Sequence, residues 1–263
     1  MEPIFERVLL TNDDGIAAPG LAVLEQVAAT LAREVWVVAP AHDQSGTSHS
    51  LSLHAPLRIE TLGERRFSVQ GTPADCVVLG VRHLLRDAAP DMILSGVNRG
   101  ANLGVETVFS GTVGAAMTGL LLGVPSIALS QAFEDRAAVP WPTAAALAGP
   151  VIRRLSESAK GGAGWSGSAC LNVNFPACAP DQAGPLTVTR QGEGLLDGIE
   201  ILSRADPRTL DYHWLQISRR SRQDAADSEA AALDRRAISV TPLRFERTDD
   251  AVLDRLRDAV GAA

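Results

Sequence analysis

Val8-Leu9-Leu10-Thr11-Asn12-Asp13-Asp14-Gly15 is the stretch that decides how this chain folds. A short continuous apolar run is how a strand buried on both faces of a parallel sheet reads. Here the run stops abruptly in two adjacent carboxylates and a glycine. In open α/β sheets ligands bind just beyond the carboxyl ends of the strands, which is where Asp13 and Asp14 would lie. Side by side they repel each other, and one pKa rises unless a cation sits between them. Oxygen-only ligands favour a hard divalent ion, magnesium or manganese rather than zinc. Asn-Asp-Asp-Gly is also a good turn with no ligand at all, so the rest of the chain has to decide.

Outward from that strand, residues 5–130 alternate between strand-like and helix-like segments. Leu21, Leu24, Val27, Ala28 and Leu31 recur at helical spacing behind Pro19, which suits a first turn. Val35-Trp36-Val37-Val38 is a second strand, and short alternating pieces follow near 51–60 and 66–70. Residues 73–85 read as a helix with Thr72 as N-cap and Pro73 at its first position. A strand at 92–95, a helix at 111–122 and a strand at 125–130 complete the series. The alternation predicts a three-layer α/β fold, a doubly wound, Rossmann-like and mostly parallel sheet with helices on both faces. Beyond it, 143–155 looks helical, 169–175 and 237–242 strand-like, and 249–260 a closing helix. The stretch 180–222 shows only scattered turn residues and short strand candidates at 186–189 and 214–218. The expectation is one domain over 1–263: a core at 1–178, an irregular extension at 179–236, and a closing strand and helix at 237–263.

Composition narrows the function. The net charge of −7 opposes a long nucleic-acid footprint, which would show as a basic domain. It leaves room for a small anion, since a metal and helix N-termini can supply local positive potential. Lys160 is the single lysine and is followed by Gly161, so a Walker A loop is excluded. Three cysteines without a CxxC pair argue against a disulfide framework and a zinc-thiolate site, and suit a reducing cytoplasm. Met1-Glu2-Pro3 runs into a strand with no basic leader, and no uncharged apolar run reaches about 18 residues, so neither a secretion signal nor a membrane span is expected.

Three polar segments follow the three clearest strands: Asn12 to Gly15, Asp43 to Ser48, and Ser95 to Gly104. If the strands are parallel, all three emerge on one rim, where hydroxyl, amide and carboxylate oxygens such as those of Ser45 and Asn98 make a cage for a hexacoordinate cation. A fourth segment, Phe109-Ser110-Gly111-Thr112-Val113-Gly114, turns from a loop into an apolar helix. Small residues at a helix N-terminus leave N–H groups free for an anion, and the Ser110 and Thr112 hydroxyls could add donors. Thr112 and Gly111 are expected to meet the phosphate and not the cation. An ordinary serine cap would explain the same residues.

Other chemistries find no support. Gly162-Ala163-Gly164-Trp165-Ser166-Gly167 fits GxGxxG but follows a helix and precedes a strand, the reverse of dinucleotide binding, and reads as a linker. No GxSxG is present. His42, His49 and His54 form no helical metal pair; His49 is the best placed to assist, with an exposed surface histidine as the plainer expectation. The Asp-x-Asp of aspartyl-phosphate phosphatases is not matched, since Gly15 and Ile16 stand two residues after Asp13 and Asp14. Arg219-Arg220-Ser221-Arg222, followed by acids, reads as a solvated charged surface.

Assembled, the segments resemble the SurE family, bacterial stationary-phase survival proteins that act as 5′/3′-nucleotidases. The resemblance is carried by Leu10-Thr11-Asn12-Asp13-Asp14-Gly15, Val38-Ala39-Pro40 with Gln44-Ser45-Gly46, Gly71-Thr72-Pro73-Ala74-Asp75-Cys76-Val77, the segment from Ser95 to Gly104, and Ser110-Gly111-Thr112-Val113-Gly114-Ala115-Ala116-Met117. Asn172-Val173-Asn174-Phe175-Pro176 and Ser239-Val240-Thr241-Pro242-Leu243 extend it over nearly the whole chain. It departs at Phe109, where tyrosine is common, at Thr118, often glutamate, and by a glycine missing from Asp234-Arg235-Arg236-Ala237. The resemblance implies a metal-dependent phosphomonoesterase with Asp13, Asp14, Ser45 and Asn98 as ligands of one Mg²⁺ or Mn²⁺ ion. Asp13, Asp14 and Asn98 would be the catalytic set. Ser110, Gly111 and Thr112 would hold the phosphate, with Gly46 and Asn102 beside them. The implied substrates are nucleoside 5′-monophosphates, with 3′-monophosphates an open second class. A cytoplasmic homodimer or homotetramer is implied, its contacts made by the C-terminal extension. The reading from a different class is a non-catalytic nucleotide-binding module on the same rim.

Overall fold

The computed structural model describes residues 2–160, 165, 168–219 and 224–261. Its central strand is the opening apolar run, β1 (Phe5–Thr11), in which Val8, Leu9 and Leu10 are fully buried. Val8 and Leu10 face one layer and Leu9 the other, the two-sided burial that makes a strand continuously apolar. In chain order there follow α1 (Pro19–Ala28), β2 (Ala32–Pro40), β3 (Ile59–Gly63), β4 (Arg66–Val69), α2 (Pro73–Leu79), β5 (Met92–Arg99), α3 (Gly111–Leu121), β6 (Ser126–Gln131), α4 (Trp141–Lys160) and β7 (Cys170–Phe175). Then come β8 (Leu186–Val188), β9 (Leu196–Ala205), β10 (Asp211–Arg219), α5 (Glu229–Asp234), β11 (Ile238–Leu243) and α6 (Asp250–Val260).

Nine strands form the main sheet in the order β3-β4-β2-β1-β5-β6-β7-β11-β8. From β4 to β7 the neighbours run parallel, while β3 is antiparallel to β4 and β11 to β7. The chain builds outward from β1 through β2 on one side and from β5 on the other, so the direction of winding reverses between β1 and β5. Leu21, Leu24 and Val27 of α1 and Ala148 and Ile152 of α4 pack on one sheet face. Cys76 and Val77 of α2 and Ala115 of α3 pack on the other, completing three layers. The expected fold class is therefore what the chain adopts.

Differences from the expected elements have local causes. Thr72 caps α2 in a capping box with Asp75, as the spacing predicts, but the α-helix closes at Leu79 and a π-helical turn, Gly80–Leu84, completes the segment. The strand at 92–95 runs on to Arg99, and its register with β6 shifts between Ser95 and Asn98. The stretch expected to be irregular contains a long antiparallel hairpin, β9 paired with β10 from Asp211↔Ala205 to Arg219↔Leu196. Ile199, Ile201, Trp214 and Leu215 stay exposed on it, so neither face shows the period-two alternation that marks a half-buried strand. The Gly162–Gly167 linker, apart from Trp165, and Arg220-Ser221-Arg222 lie outside the described residues.

Candidate active site

Asp13 and Asp14 follow β1, Ser45 follows β2, and Asn98 stands near the end of β5, all on the rim where the winding reverses. These four residues line one cavity of about 850 Å³, and Gly46, Asn102 and Ser110 line it too. Asn98 follows directly on the register shift between β5 and β6, a place where a strand's side chains are re-aimed.

Each of the four is held by a neighbour. Thr112 Oγ1 donates to Asp13 Oδ1 at 2.5 Å. The backbone N–H of Arg99 donates to Asp14 Oδ2 at 3.1 Å. Asn98 Nδ2 gives its proton to the Gly100 carbonyl at 2.9 Å, which leaves Oδ1 uncommitted. Ser45 Oγ donates to Asp43 Oδ1 at 2.6 Å and keeps its own lone pairs. An oxygen acceptor is thereby left on every member, with its orientation set from behind, as supporting hydrogen bonds set metal ligands.

Electrostatics point the same way. Asp13 is buried, and burial together with the charge of Asp14 raises its pKa to about 6 against the Thr112 hydrogen bond. Burial also raises Asp14; the Arg99 N–H opposes this, Asp43 adds to it, and the charges of Arg99 and Arg136 lower it. Two desolvated carboxylates with like-charge neighbours are poised for a cation. Among the described residues no group of three or more His, Cys, Asp or Glu could hold a metal. The set here is two carboxylates, an amide and a hydroxyl, which fits a hard ion and not zinc.

The start of α3 differs from the expectation. Gly111 and Thr112 lie behind Asp13 and not on the cavity surface. A Cβ on Gly111 would stand 2.8 Å from Asp13 Cβ, so only glycine admits the carboxylate so close to the helix end. The Thr112 side chain and N–H both act on Asp13. Asp13 thus takes the anion position at this N-terminus, and Thr112 touches a predicted metal ligand, not solvent. Ser110 accepts the N–H of Val113 and remains on the cavity wall.

Two motifs without an evident task in the sequence prove to be anchors. Asp75 receives the Ser52 N–H at 2.9 Å and hydroxyl at 2.7 Å, tying the loop that carries Ser45 to α2. On β7, Asn174 Oδ1 accepts the Asn102 N–H at 2.8 Å, while Asn172 and Asn174 both donate to the Asn102 carbonyl. Asn102 Nδ2 is given to Ser130 Oγ at 2.9 Å, so it would have to leave that bond to serve a phosphate. Further along the same loop, the buried Glu229 of α5 accepts the N–H of Gly104 at 2.6 Å and of Gly192 at 2.7 Å. Gln191 Nε2 adds bonds to Gly104 O and Thr107 Oγ1.

Phe133, Arg136, Leu195, Ile217, Arg219 and Arg236 also line the cavity, and nothing in the sequence marks them for it. Arg219 pairs with Glu106 at 2.9 Å across it. None of these belongs to a spaced motif; the fold alone brings them together. His49 lines a separate cavity of about 340 Å³ beside Val108 and Arg247, half-buried against Phe245, and has no place at the carboxylate pair. His42 and His54 are exposed.

Fold and site together define an α/β protein with a pair of desolvated carboxylates at the switch point of a mostly parallel sheet. The family model described as Survival protein SurE matches residues 8–197. A protein named 5′-nucleotidase SurE 1 from Burkholderia lata is 64% identical over 259 residues, covering 98% of both chains. A 5′-nucleotidase SurE from Nitrobacter winogradskyi is 49% identical over 251 residues, covering 93% of this chain and 96% of its own. The crystal structure of the SurE protein from Aquifex aeolicus superposes with a TM-score of 0.81 at 32% identity, covering 97% of this chain and all of that one. The chain belongs to the SurE family.

Proposed function

We propose that this protein is a metal-dependent phosphomonoesterase that hydrolyses nucleoside 5′-monophosphates, with 3′-monophosphates as further substrates. The observation that carries this is the convergence of Asp13, Asp14, Ser45 and Asn98 on one cavity, each oriented by a hydrogen bond and each with an oxygen to offer. The names of the relatives supply the substrate class.

Those four residues would hold one Mg²⁺ or Mn²⁺ ion, which when bound withdraws charge from the phosphoryl group and makes water a better nucleophile. The chain's own part is positioning and charge, which is most of what phosphoryl transfer needs. Asp13 and Asp14 bring the negative charge that recruits the ion. Ser110 holds a hydroxyl on the cavity wall for a phosphate oxygen, and Gly46 lines the same cavity. Asn98 is held ready by Gly100, and the backbone of Asn102 is fixed by β7, while the Asn102 side chain would exchange its bond to Ser130 for one to the phosphate. A cavity of about 850 Å³ has room for a nucleoside beyond the phosphate.

The three cysteines are free and buried, in keeping with a reducing cytoplasm. No helix among the described residues is long and apolar enough to cross a membrane. Exposed apolar residues on the hairpin support a homodimer or homotetramer.

The test is phosphate release from nucleoside monophosphates with Mn²⁺ or Mg²⁺ against chelator. Activity that disappears with chelator and returns with either ion is expected. Full turnover in metal-free buffer overturns the metal's role, and tight nucleotide binding without turnover favours the binding module.

A further inference from the structure

Helix α5 ends in a Schellman turn: the Ala237 N–H donates to Ala232 O at 2.9 Å and the Arg236 N–H to Leu233 O at 2.8 Å. Arg236 itself has φ of 59°. That is the left-handed position glycine normally takes after a helix, because a Cβ there crowds the following carbonyl. The backbone is pinned on both sides, since the Arg236 carbonyl also accepts the Gly184 N–H at 2.7 Å. The turn therefore gains nothing from an arginine and would be more comfortable with glycine. What arginine adds is its side chain, and that side chain lines the cavity of the carboxylate pair.

Its charge has no evident structural use. Among the described residues no carboxylate forms an ion pair with it, whereas Arg219 is paired with Glu106 at 2.9 Å. The charges of Arg99 and Arg136 lower the Asp14 pKa, and that of Arg236 lowers the Cys178 pKa. Arg236 lines the cavity together with its helix neighbour Leu233 and with Ala177. A guanidinium is planar, weakly hydrated and rich in donors, so it can stack on a base and donate to base or ribose acceptors.

We propose that Arg236 is a specificity-determining residue that contacts the nucleoside of a nucleoside monophosphate whose phosphate lies at Asp13 and Asp14. This rests on the nucleotidase reading above. Backbone strain is tolerated at Arg236 because the side chain is used in the cavity.

Arg236→Gly and Arg236→Asn, each with Mn²⁺, are compared with the unaltered protein on a nucleoside 5′-monophosphate and on p-nitrophenyl phosphate. Asparagine tolerates the left-handed backbone, so a change shared by both variants comes from the lost guanidinium and not from the turn. KM for the nucleotide is expected to rise about tenfold in both, the scale of one charge-assisted contact, with kcat nearly unchanged. The kinetics on p-nitrophenyl phosphate stay as they were. Arg236→Gly is expected to melt higher, by about 2–4 °C. An unchanged nucleotide KM, or an equal loss on both substrates, overturns the role of Arg236, and a melting temperature no higher than the original overturns the strain on which it stands. If the unaltered protein turns over p-nitrophenyl phosphate but no nucleotide, the nucleotidase reading itself fails, and the role of Arg236 with it.

Discussion

At the scale of single residues, the contact between Thr112 and Asp13 changes how the site is understood. Ser110-Gly111-Thr112 reads in the sequence as a cradle for a phosphate, yet the Thr112 hydroxyl is spent on Asp13 at 2.5 Å and is completely buried. Thr112→Val keeps the shape and removes the donor. Its first effect is therefore expected on the cation: Mn²⁺ affinity by calorimetry should fall about 10- to 100-fold, the usual scale for losing a partner that supports a metal ligand. Inorganic phosphate affinity in the absence of metal should stay within about threefold, well under the cost of a lost charge-assisted bond. If phosphate binding weakens and Mn²⁺ binding does not, Thr112 faces the anion after all. Asp13 could be picked out in the sequence because two adjacent carboxylates after an apolar strand are conspicuous. Its partner could not, because 99 residues separate Thr112 from Asp13 and only the packing of α3 against the sheet closes that gap.

At the scale of elements, the C-terminal extension is tied into the site through α5. Glu229 is 1% exposed, and its two oxygens accept N–H groups from two different loops, at Gly104 and Gly192. The loop that starts at Gly104 leads into Ser110 and α3, so α5 helps to hold the anion side of the cavity. Burial pushes the Glu229 pKa up while these N–H bonds pull it down. A glutamine there can accept only one of the two N–H groups and turns its own NH₂ toward the other. Glu229→Gln is thus expected to destabilise the protein by about 1–3 kcal/mol, the cost of an unsatisfied buried donor, seen as a lower urea midpoint. Phosphate release should fall about tenfold alongside, as expected for a misplaced site. Wild-type stability in Glu229→Gln would show that the carboxylate is not needed as a double acceptor. The helices packed on the core sheet and the strands around β1 are legible from apolar spacing, since their burial is one-sided or complete. Of the β9–β10 hairpin only the 214–218 piece of β10 is legible; its full length and its pairing with β9 are not, because its apolar residues are exposed on both faces and follow neither period.

At the scale of the whole molecule, that exposed hairpin is the feature a lone chain leaves unexplained. Ile201, Trp214 and Leu215 are 68%, 62% and 74% exposed, and α6 has no buried residue while Leu256 and Val260 stay open. Apolar surface on this scale marks a contact face. Light scattering at micromolar concentration is expected to report dimers or tetramers, and Trp214→Ser with Leu215→Ser to lower the mass while leaving the fold, judged by circular dichroism, intact. A monomer throughout the concentration range would refute assembly through the hairpin.

The layered α/β architecture, the rim on which the loops gather and the conspicuous Asp13-Asp14 pair are legible in the amino-acid sequence, because apolar periodicity and polar strand ends are local patterns written along the chain. The full set of Asp13, Asp14, Ser45 and Asn98 comes from the resemblance to the SurE family. That Asp13 closes the N-terminus of α3, that Asn174, Asp75 and Glu229 anchor the three loops, and that Arg236 joins the cavity lining is visible in the folded chain alone. Those facts depend on contacts between segments far apart in sequence, and no local pattern encodes which distant group will arrive at a given hydrogen-bond donor or acceptor.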